Sequence, residues 1–96
     1  MEIETKVLQW AKDRQIFAKA TPYKQALKTL EECGELLHSI GQYNESEIKD
    51  AIGDIIVTLI IQAEMQGTTM EECLESAYDV IKNRSGKMVN GTFVKD

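Results

Sequence analysis

The sequence predicts an all-α protein, a four-helix bundle-like domain that is completed by self-association. Apolar residues recur at helical spacing in four separate segments of the chain. Residues that favour helix N-termini stand before three of these segments, at Thr21, Asn44 and Thr69. The connections between the segments are short, which favours antiparallel packing of neighbouring helices. Because a chain of 96 residues buries only a modest core, we expect further burial against a second copy.

The first two predicted helices cover about residues 2–17 and 22–40. Thr21 and Pro22 mark the start of the second helix, because threonine is a good N-cap and proline is tolerated at the first helical position. Gly41 is expected to end it. Four apolar residues of this helix are expected to face the core: Leu27, Leu30, Leu37 and Ile40.

The third and fourth predicted helices begin at capping-box patterns. Asn44 is followed three residues later by Glu47, and the third helix reaches about Gln66. Its second half is apolar on nearly every side, which predicts a helix buried at the centre of the fold. A buried strand is the competing interpretation, since the segment is rich in β-branched residues. The fourth helix extends from Thr69 to about Arg84.

Length, charge and cysteine content indicate how many domains the chain forms and which classes of partner it is expected to bind. Residues 1–96 are expected to form a single domain, with an irregular or short extended tail over 85–96. The net charge of −5 argues against a nucleic-acid polymer or a membrane as partner, because proteins that bind either usually carry a basic patch. No apolar run approaches the ~18 residues that a membrane span needs. Cys33 and Cys73 lack metal-ligand spacing and are interpreted as reduced residues in or near the core. The N-terminus is charged and does not resemble a signal peptide, so we expect a cytoplasmic protein.

Carboxylates cluster on two neighbouring helices. Glu31, Glu32 and Glu35 share one face of the second predicted helix, and Asp50 and Asp54 share one face of the third. Antiparallel pairing across the short turn would bring the two sets together. Carboxylates so close repel one another, and a divalent cation is the simplest remedy, because hard cations bind carboxylate oxygens. Mg²⁺ is the expected ion, with Mn²⁺ as a substitute, since no His or Cys stands at a spacing that favours zinc.

Two other interpretations of these carboxylates compete. The first is a solvated acidic face, which suits Asp54 least, because this residue lies on the helix that is expected to be most buried. The second is a di-iron bundle, suggested by Glu35-x-x-His38. Such a site needs the motif twice and His38 is the only histidine, so it is interpreted as a surface or helix-end residue. Gly34 and Gly53 stand inside the helices beside the carboxylates, which suggests a tight helix crossing.

The two acidic runs resemble the motifs of a known family. Residues 28–37, KTLEECGELL, resemble the EExxE motif of MazG-type nucleoside triphosphate pyrophosphohydrolases. Residues 50–56, DAIGDII, resemble the second motif of that family, which is ExxD followed by an apolar stretch. The resemblance covers most of the chain. It departs from the pattern at Ala51, where the glutamate of ExxD would stand; either Asp50 replaces it, or Glu47 and Asp50 form an ExxD shifted by one turn.

This resemblance implies an all-α fold that works as a homodimer or homotetramer. It also implies Mg²⁺-dependent cleavage of a (deoxy)nucleoside triphosphate between the α- and β-phosphates, which yields a monophosphate and pyrophosphate. Matched residue by residue, Glu32, Glu35 and Asp54 are catalytic metal ligands. Glu31 is implied to support them or to act as the base for the attacking water. Asp50 stands near the position of the fourth ligand.

Cationic and aromatic residues are candidates for binding the nucleotide. Lys28 lies one turn before Glu32, where it either reaches the triphosphate or forms a salt bridge with that carboxylate. Trp10 is either a core residue or a platform on which the base stacks. Three further candidates lie at and after the end of the fourth predicted helix: Asn83, Arg84 and Lys87. Arginine suits bidentate phosphate contact, although cations near a helix C-terminus also match the helix dipole.

Two other functions remain open at this point. The first is a non-catalytic helical interaction module whose acidic face is structural or binds a regulatory metal, and the Ala51 departure favours it. The second is a hydrolase of another phosphate ester, such as phosphoribosyl-ATP, which helical relatives of the family use.

Overall fold

The computed structural model describes residues 2–96, which form an all-α fold with one small β-hairpin. The helices are α1 (Glu2–Asp13), α2 (Ile16–Lys19), α3 (Pro22–Gly41), α4 (Glu45–Met65) and α5 (Met70–Ile81). The hairpin consists of the antiparallel strands β1 (Gly86–Val89) and β2 (Thr92–Lys95). The predicted fold class is confirmed, and the segment for which a buried strand was the competing interpretation is the helix α4.

Capping hydrogen bonds confirm the three predicted helix starts. The side-chain oxygens of Thr21, Asn44 and Thr69 each accept a bond from the backbone N–H three residues along the chain, at 3.1, 3.2 and 3.0 Å. Each bond satisfies one of the donors that a helix N-terminus leaves without an intrahelical partner. Pro22 occupies the first turn of α3, where its missing N–H removes no intrahelical bond.

The structure departs from the prediction near both ends of the chain. The first predicted helix is interrupted, because Gln15 adopts a φ of 62°, in the left-handed region, and the short helix α2 follows it. The tail is a regular hairpin, and its turn residues Asn90 and Gly91 have φ values of 49° and 82°. An Asn-Gly pair at positive φ is a preferred two-residue connection, because its twist matches that of the flanking strands. This dipeptide is the sequence signal for the hairpin.

Three side-chain hydrogen bonds show that α3 and α4 pack antiparallel. Near the start of α3, the side chain of Gln62 donates to the Pro22 carbonyl at 2.9 Å. Further along α3, Gln25 donates to the Thr58 carbonyl at 3.3 Å, and the Thr29 hydroxyl donates to the Thr58 hydroxyl at 2.9 Å. The partners on α4 move towards its N-terminus as α3 advances. Continued along both helices, this register brings the two acidic segments opposite each other.

The core centres on the second half of α4, as predicted. Ile60, Ile61 and Ala63 of this helix are buried, together with Ala51 nearer its start and Ala11 of α1. Both α1 and α5 also contact α4. Among the described residues, no large side chain is completely buried, so the core is thin. No helix within residues 2–96 is both long and apolar enough to cross a bilayer.

Several apolar residues that were expected in the core are exposed instead. On α3, the exposed fractions of four side chains lie between 45% and 74%, which makes their predicted core positions wrong: Leu27, Leu30, Leu37 and Ile40. No residue of α5 is buried, and Cys73 on that helix is exposed while Cys33 is half-buried. Both cysteines are free, as predicted. These faces are open because α3 and α5 pack mainly against α4 within the described chain.

The tight helix crossing expected at Gly34 and Gly53 is also wrong for this chain. A Cβ atom added at either glycine would meet no other atom within 4 Å. Both glycines therefore lie on open faces of their helices in the part of the chain that the structure describes.

Removing the hydroxyl of Thr58 tests whether its hydrogen bonds stabilise the contact between α3 and α4. It donates to the Ile55 carbonyl at 2.7 Å and accepts from Thr29, and Thr58 is buried. Thr58→Val keeps the shape but removes both bonds, so we expect a loss of about 1 kcal/mol in the free energy of unfolding. Urea unfolding followed by circular dichroism measures this loss. The exposed Thr92→Val is the control, with an expected change within about 0.5 kcal/mol. Equal effects of the two substitutions would contradict the structural role of the Thr58 hydroxyl.

Candidate metal centre

Three of the predicted metal ligands come together between α3 and α4. One carboxylate oxygen from each of Glu32, Glu35 and Asp54 lies within 4.8 Å of the others. Two come from α3 at helical spacing and the third from α4, so the antiparallel register of the helices assembles the group. We call these three residues the acidic cluster. Glu32 is buried, whereas Glu35 and Asp54 are exposed, so the expectation that Asp54 is buried is wrong.

Glu32 holds a carboxylate oxygen that is buried without a hydrogen-bond partner among the described residues. Its Oε1 forms an ion pair with the Lys28 ammonium at 3.3 Å, and its side chain is 10% exposed. Its Oε2 is the buried oxygen that receives no bond. An unpaired buried charge is costly, and coordination of a cation removes that cost. The donor set is all carboxylate oxygens, which suits a hard divalent ion such as Mg²⁺.

The neighbouring carboxylates raise the pKa of Glu35. The pKa of its carboxyl is raised, first by a hydrogen bond with the neighbouring Glu32 and then by the charge of Glu32. Partial desolvation and the charge of Glu31 act in the same direction, while Lys28 opposes them. The exposed carboxyl therefore gives up its proton less readily than an isolated glutamate does, as expected where carboxylates share a small volume.

Lys28 joins the acidic cluster to Glu31. Its ammonium lies 3.3 Å from oxygens of both Glu31 and Glu32, so the salt bridge considered from the sequence is present. Hydrogen bonds to these two carboxylates raise the pKa of Lys28. Glu31 is exposed and lies outside the group of three, and its carboxylate accepts a hydrogen bond from Lys28. A lysine that keeps its charge beside the acidic cluster is well placed to contact an anionic ligand.

A cavity of about 310 Å³ lies on one side of the acidic cluster. Glu35 and Asp54 line it, and so does Asp50, which is outside the group of three but shares this space. Glu47 lines the same cavity. Both residues considered for the fourth carboxylate therefore border the same volume. His38 lines it as well, and the Glu35-x-x-His38 spacing was the one sequence feature that pointed to this position.

A second, smaller cavity of about 240 Å³ also borders the acidic cluster. Glu32, Asp54 and Lys28 line it, and Trp10 of α1 lines it from another direction. The structure thus brings the predicted aromatic residue beside the acidic cluster. The Arg14 guanidinium lies 5.0 Å from the centre of the Trp10 ring, which is a cation–π contact.

A third cavity is lined by a lysine that was not among the residues predicted from the sequence. It is lined by Lys6 together with Trp10 and Asp54. Lys6 is four residues from Trp10, so the same face of α1 presents both residues. Its weak ion pair with Glu2, at 3.8 Å, is highly exposed on both sides.

The three candidates near the end of α5 lie elsewhere. Within the described chain, none of the three cavities that Asp54 lines includes them: Asn83, Arg84 and Lys87. All three side chains are exposed. Within residues 2–96, α5 contacts α4 but contributes no residue to the lining of these three cavities.

Comparison with known proteins identifies the family. Residues 20–89 match the model of the MazG nucleotide pyrophosphohydrolase domain. The chain belongs to this family. The MazG match spans both acidic segments and confirms the resemblance drawn from their motifs. An uncharacterized 18.2 kDa protein from the rep-hol intergenic region of Haemophilus phage HP1 is 43% identical over 56 residues, which cover 58% of this chain and 34% of that protein. The chain thus spans about a third of the length of this relative. No solved structure matches it.

The raised pKa of Glu35 predicts how metal-free stability depends on pH. A carboxyl whose pKa is raised by folding binds its proton more tightly in the folded state, so its contribution to stability is lost as pH rises through the folded pKa. Glu35→Gln removes this loss. We expect its metal-free melting temperature at neutral pH to equal or exceed that of the unsubstituted protein, with the difference vanishing in acid. Thermal unfolding monitored by circular dichroism over a pH series measures this.

The matched control is Glu75→Gln, an exposed glutamate of α5 outside the acidic cluster. It should leave the pH dependence unchanged. Metal-free Glu35→Gln protein that melts well below the unsubstituted protein at neutral pH would show that this carboxylate stabilises the fold, contrary to the repulsion described here.

Proposed function

We propose that the protein is a divalent-metal-dependent nucleotide pyrophosphohydrolase. It converts a (deoxy)nucleoside triphosphate to a monophosphate and pyrophosphate in the cytoplasm, with Mg²⁺ as cofactor and Mn²⁺ as a substitute. Membership of the MazG family supports the reaction class. The observation that carries the metal requirement is the buried Glu32 Oε2, which has no partner in the described chain and belongs to a group of three carboxylates.

In this proposal, Glu32, Glu35 and Asp54 hold the cation, and Asp50 adds a carboxylate from the adjoining cavity. When bound, a divalent cation neutralises triphosphate charge and makes a bound water easier to deprotonate. Glu31 is exposed beside the acidic cluster and accepts the proton of the attacking water. The water oxygen bonds to the α-phosphorus as the bond between the α- and β-phosphates breaks. Pyrophosphate leaves with the electron pair of the broken bond.

The candidate nucleotide-binding residues have different roles in this proposal. Lys28 contacts the phosphates, exchanging part of its ion pairing with Glu31 and Glu32 for the substrate. Trp10 provides a surface for the base in the smaller cavity. The remaining candidates act on the phosphates in a site of a second copy, since α5 does not present them to the acidic cluster of its own chain: Asn83, Arg84 and Lys87.

Self-association into a homodimer or homotetramer is part of the same proposal. Leu37 on α3 and Leu74 on α5 are 74% and 63% exposed, and many other large apolar side chains of residues 2–96 are exposed as well. Apolar exposure on this scale in a chain with a thin core marks an interaction surface.

Ala51 supports one alternative. It is buried and lines the larger cavity at the position where the family motif carries a glutamate. A site with one carboxylate fewer suits a helical interaction module that binds a structural or regulatory metal. Hydrolysis of another nucleotide phosphate ester, such as phosphoribosyl-ATP, is the third candidate function. Pyrophosphate-release assays distinguish the interaction module and this third candidate from the proposed reaction.

The reaction is tested by pyrophosphate release from a panel of nucleoside and deoxynucleoside triphosphates, with Mg²⁺ or with chelator. We expect metal-dependent release that Glu35→Gln and Asp54→Asn each reduce by at least about a hundredfold, because each removes a charged ligand at the reacting centre. Glu75→Gln should retain full activity. Asp50→Asn and Glu47→Gln, tested in parallel, show which of these residues supplies the fourth carboxylate.

Release from no triphosphate, combined with a Mg²⁺-dependent rise in melting temperature, would favour the regulatory metal site. Release from phosphoribosyl-ATP alone would favour the third candidate.

Light scattering after size-exclusion chromatography tests self-association. We expect the mass of a dimer or tetramer, and Leu37→Glu or Leu74→Glu should shift the protein towards the monomer because each places a charge in an apolar contact. Gln42→Glu, which adds the same charge at an exposed polar position, should leave the mass unchanged. A monomer for the unsubstituted protein at all concentrations would contradict this part of the proposal.

A further inference from the structure

The smaller cavity beside the acidic cluster has both polar and apolar lining residues. Lys28, Glu32 and Asp54 are among the polar ones, and Trp10 and Val57 are among the apolar ones. Its volume of about 240 Å³ falls below the roughly 300–1,000 Å³ of pockets that hold a whole drug-sized ligand. The cavity therefore fits one part of a nucleotide, and its aromatic and apolar lining suits the planar base rather than the charged phosphates.

Gln25 is a polar side chain in this lining, and one of its bonds determines its orientation. The residue is 6% exposed, and its side-chain amide lies 3.3 Å from the backbone carbonyl of Thr58. A carbonyl oxygen only accepts, so the NH₂ group of Gln25 must face it. Its oxygen, Oε1, is thereby assigned to the other side of the amide.

The Oε1 atom of Gln25 is left as an acceptor without a donor. No hydrogen bond within residues 2–96 reaches it. The buried side-chain oxygens that lack a partner in this range are Glu4 Oε1 and Glu32 Oε2, so Gln25 Oε1 retains contact with solvent. Because Gln25 is almost wholly covered and lines the smaller cavity, this cavity is where we expect a ligand to reach the oxygen.

The amide is also held rigidly. Its NH₂ group is bonded to α4, and the neighbouring Thr29 hydroxyl donates to the Thr58 hydroxyl at 2.9 Å, which joins α3 to α4 at the same level. An acceptor that is oriented before binding loses little freedom when a ligand arrives.

We propose that Gln25 determines base specificity: its Oε1 accepts a hydrogen bond from an N–H group of the nucleobase, whose ring lies beside Trp10. This inference rests on the proposed function. One N–H of the Gln25 amide is engaged by Thr58, and Oε1 is the acceptor that Gln25 offers the base, so it favours a base that presents an N–H donor at this point. Its contact is with the base, and the phosphates lie towards Lys28 and the acidic cluster.

Steady-state kinetics on Gln25→Leu tests the inference. We compare kcat/KM for the preferred nucleoside triphosphate with kcat/KM for the matching ribose or deoxyribose triphosphate that lacks a base. Loss of one hydrogen bond should lower the value for the preferred nucleotide by about tenfold and leave that for the abasic compound unchanged. A role limited to holding α3 against α4 would lower both values equally, and that result would overturn the inference.

The matched control is Gln62→Leu. Gln62 also donates its side-chain amide across the α3–α4 contact, to the Pro22 carbonyl at 2.9 Å, but its Oε1 already accepts from Gln66 at 3.1 Å. It lies outside the smaller cavity. Gln62→Leu should keep the ratio of the two kcat/KM values. A ratio that falls in Gln62→Leu as far as in Gln25→Leu would overturn the inference.

A binding measurement separates this inference from the proposed reaction. Trp10 is the only tryptophan in the chain, so its fluorescence reports on the smaller cavity. We expect quenching by nucleoside monophosphates with affinities that differ from base to base, and a difference that Gln25→Leu removes. If no triphosphate is hydrolysed but this pattern is seen, the reaction is wrong and the role of Gln25 stands. Hydrolysis without any change of base preference in Gln25→Leu would leave the reaction standing and reject the role of Gln25.

Discussion

The register between α3 and α4 is the constraint on which the site depends. Gln25 and Thr29 on α3 both reach Thr58 on α4, and the same register continued along the helices sets Glu32 beside Asp54. The two parts of the contact have opposite electrostatic character. Hydrogen bonds hold the helices together at one level, whereas carboxylates repel one another a few residues further on, as the raised pKa of Glu35 shows. A cation between the carboxylates would turn that repulsion into attraction, so the proposed cofactor would stabilise the same contact that assembles its site.

The two cavities beside the acidic cluster give the proposed reaction a direction. Carboxylates border both cavities, and the smaller one is also bordered by an aromatic ring with apolar neighbours. Asp54 belongs to the lining of both. A nucleotide bound across Asp54 would have its phosphates near the carboxylates and its base beside Trp10. In this arrangement α1 would contribute to the site through the base, while the carboxylates of the acidic cluster come from α3 and α4.

Local sequence signals predicted more of this molecule than long-range patterns did. The helix starts at Thr21, Asn44 and Thr69 depend on hydrogen bonds between residues only three apart in the sequence. The acidic cluster depends on helical spacing and on one short turn between two helices. The exposure of Asp54 and of the α3 leucines was not predictable in this way, because it depends on which helices lie alongside. The Asn90-Gly91 dipeptide is a sequence signal for the hairpin turn, but the tail was predicted only as irregular or short extended structure. Gln25 had no signal, since its role depends on a neighbour 33 residues away.

The central claim is that Glu32 of α3 and Asp54 of α4 hold the same ion. Titration of Mn²⁺, followed by the loss of its free electron paramagnetic resonance signal, measures the affinity of the unsubstituted protein, of Glu32→Gln, of Asp54→Asn and of the double variant. Residues that share one ion interact strongly, so the double variant should lose little more affinity than either single variant. Losses that add up, or Mn²⁺ binding that neither substitution changes, would contradict a shared site.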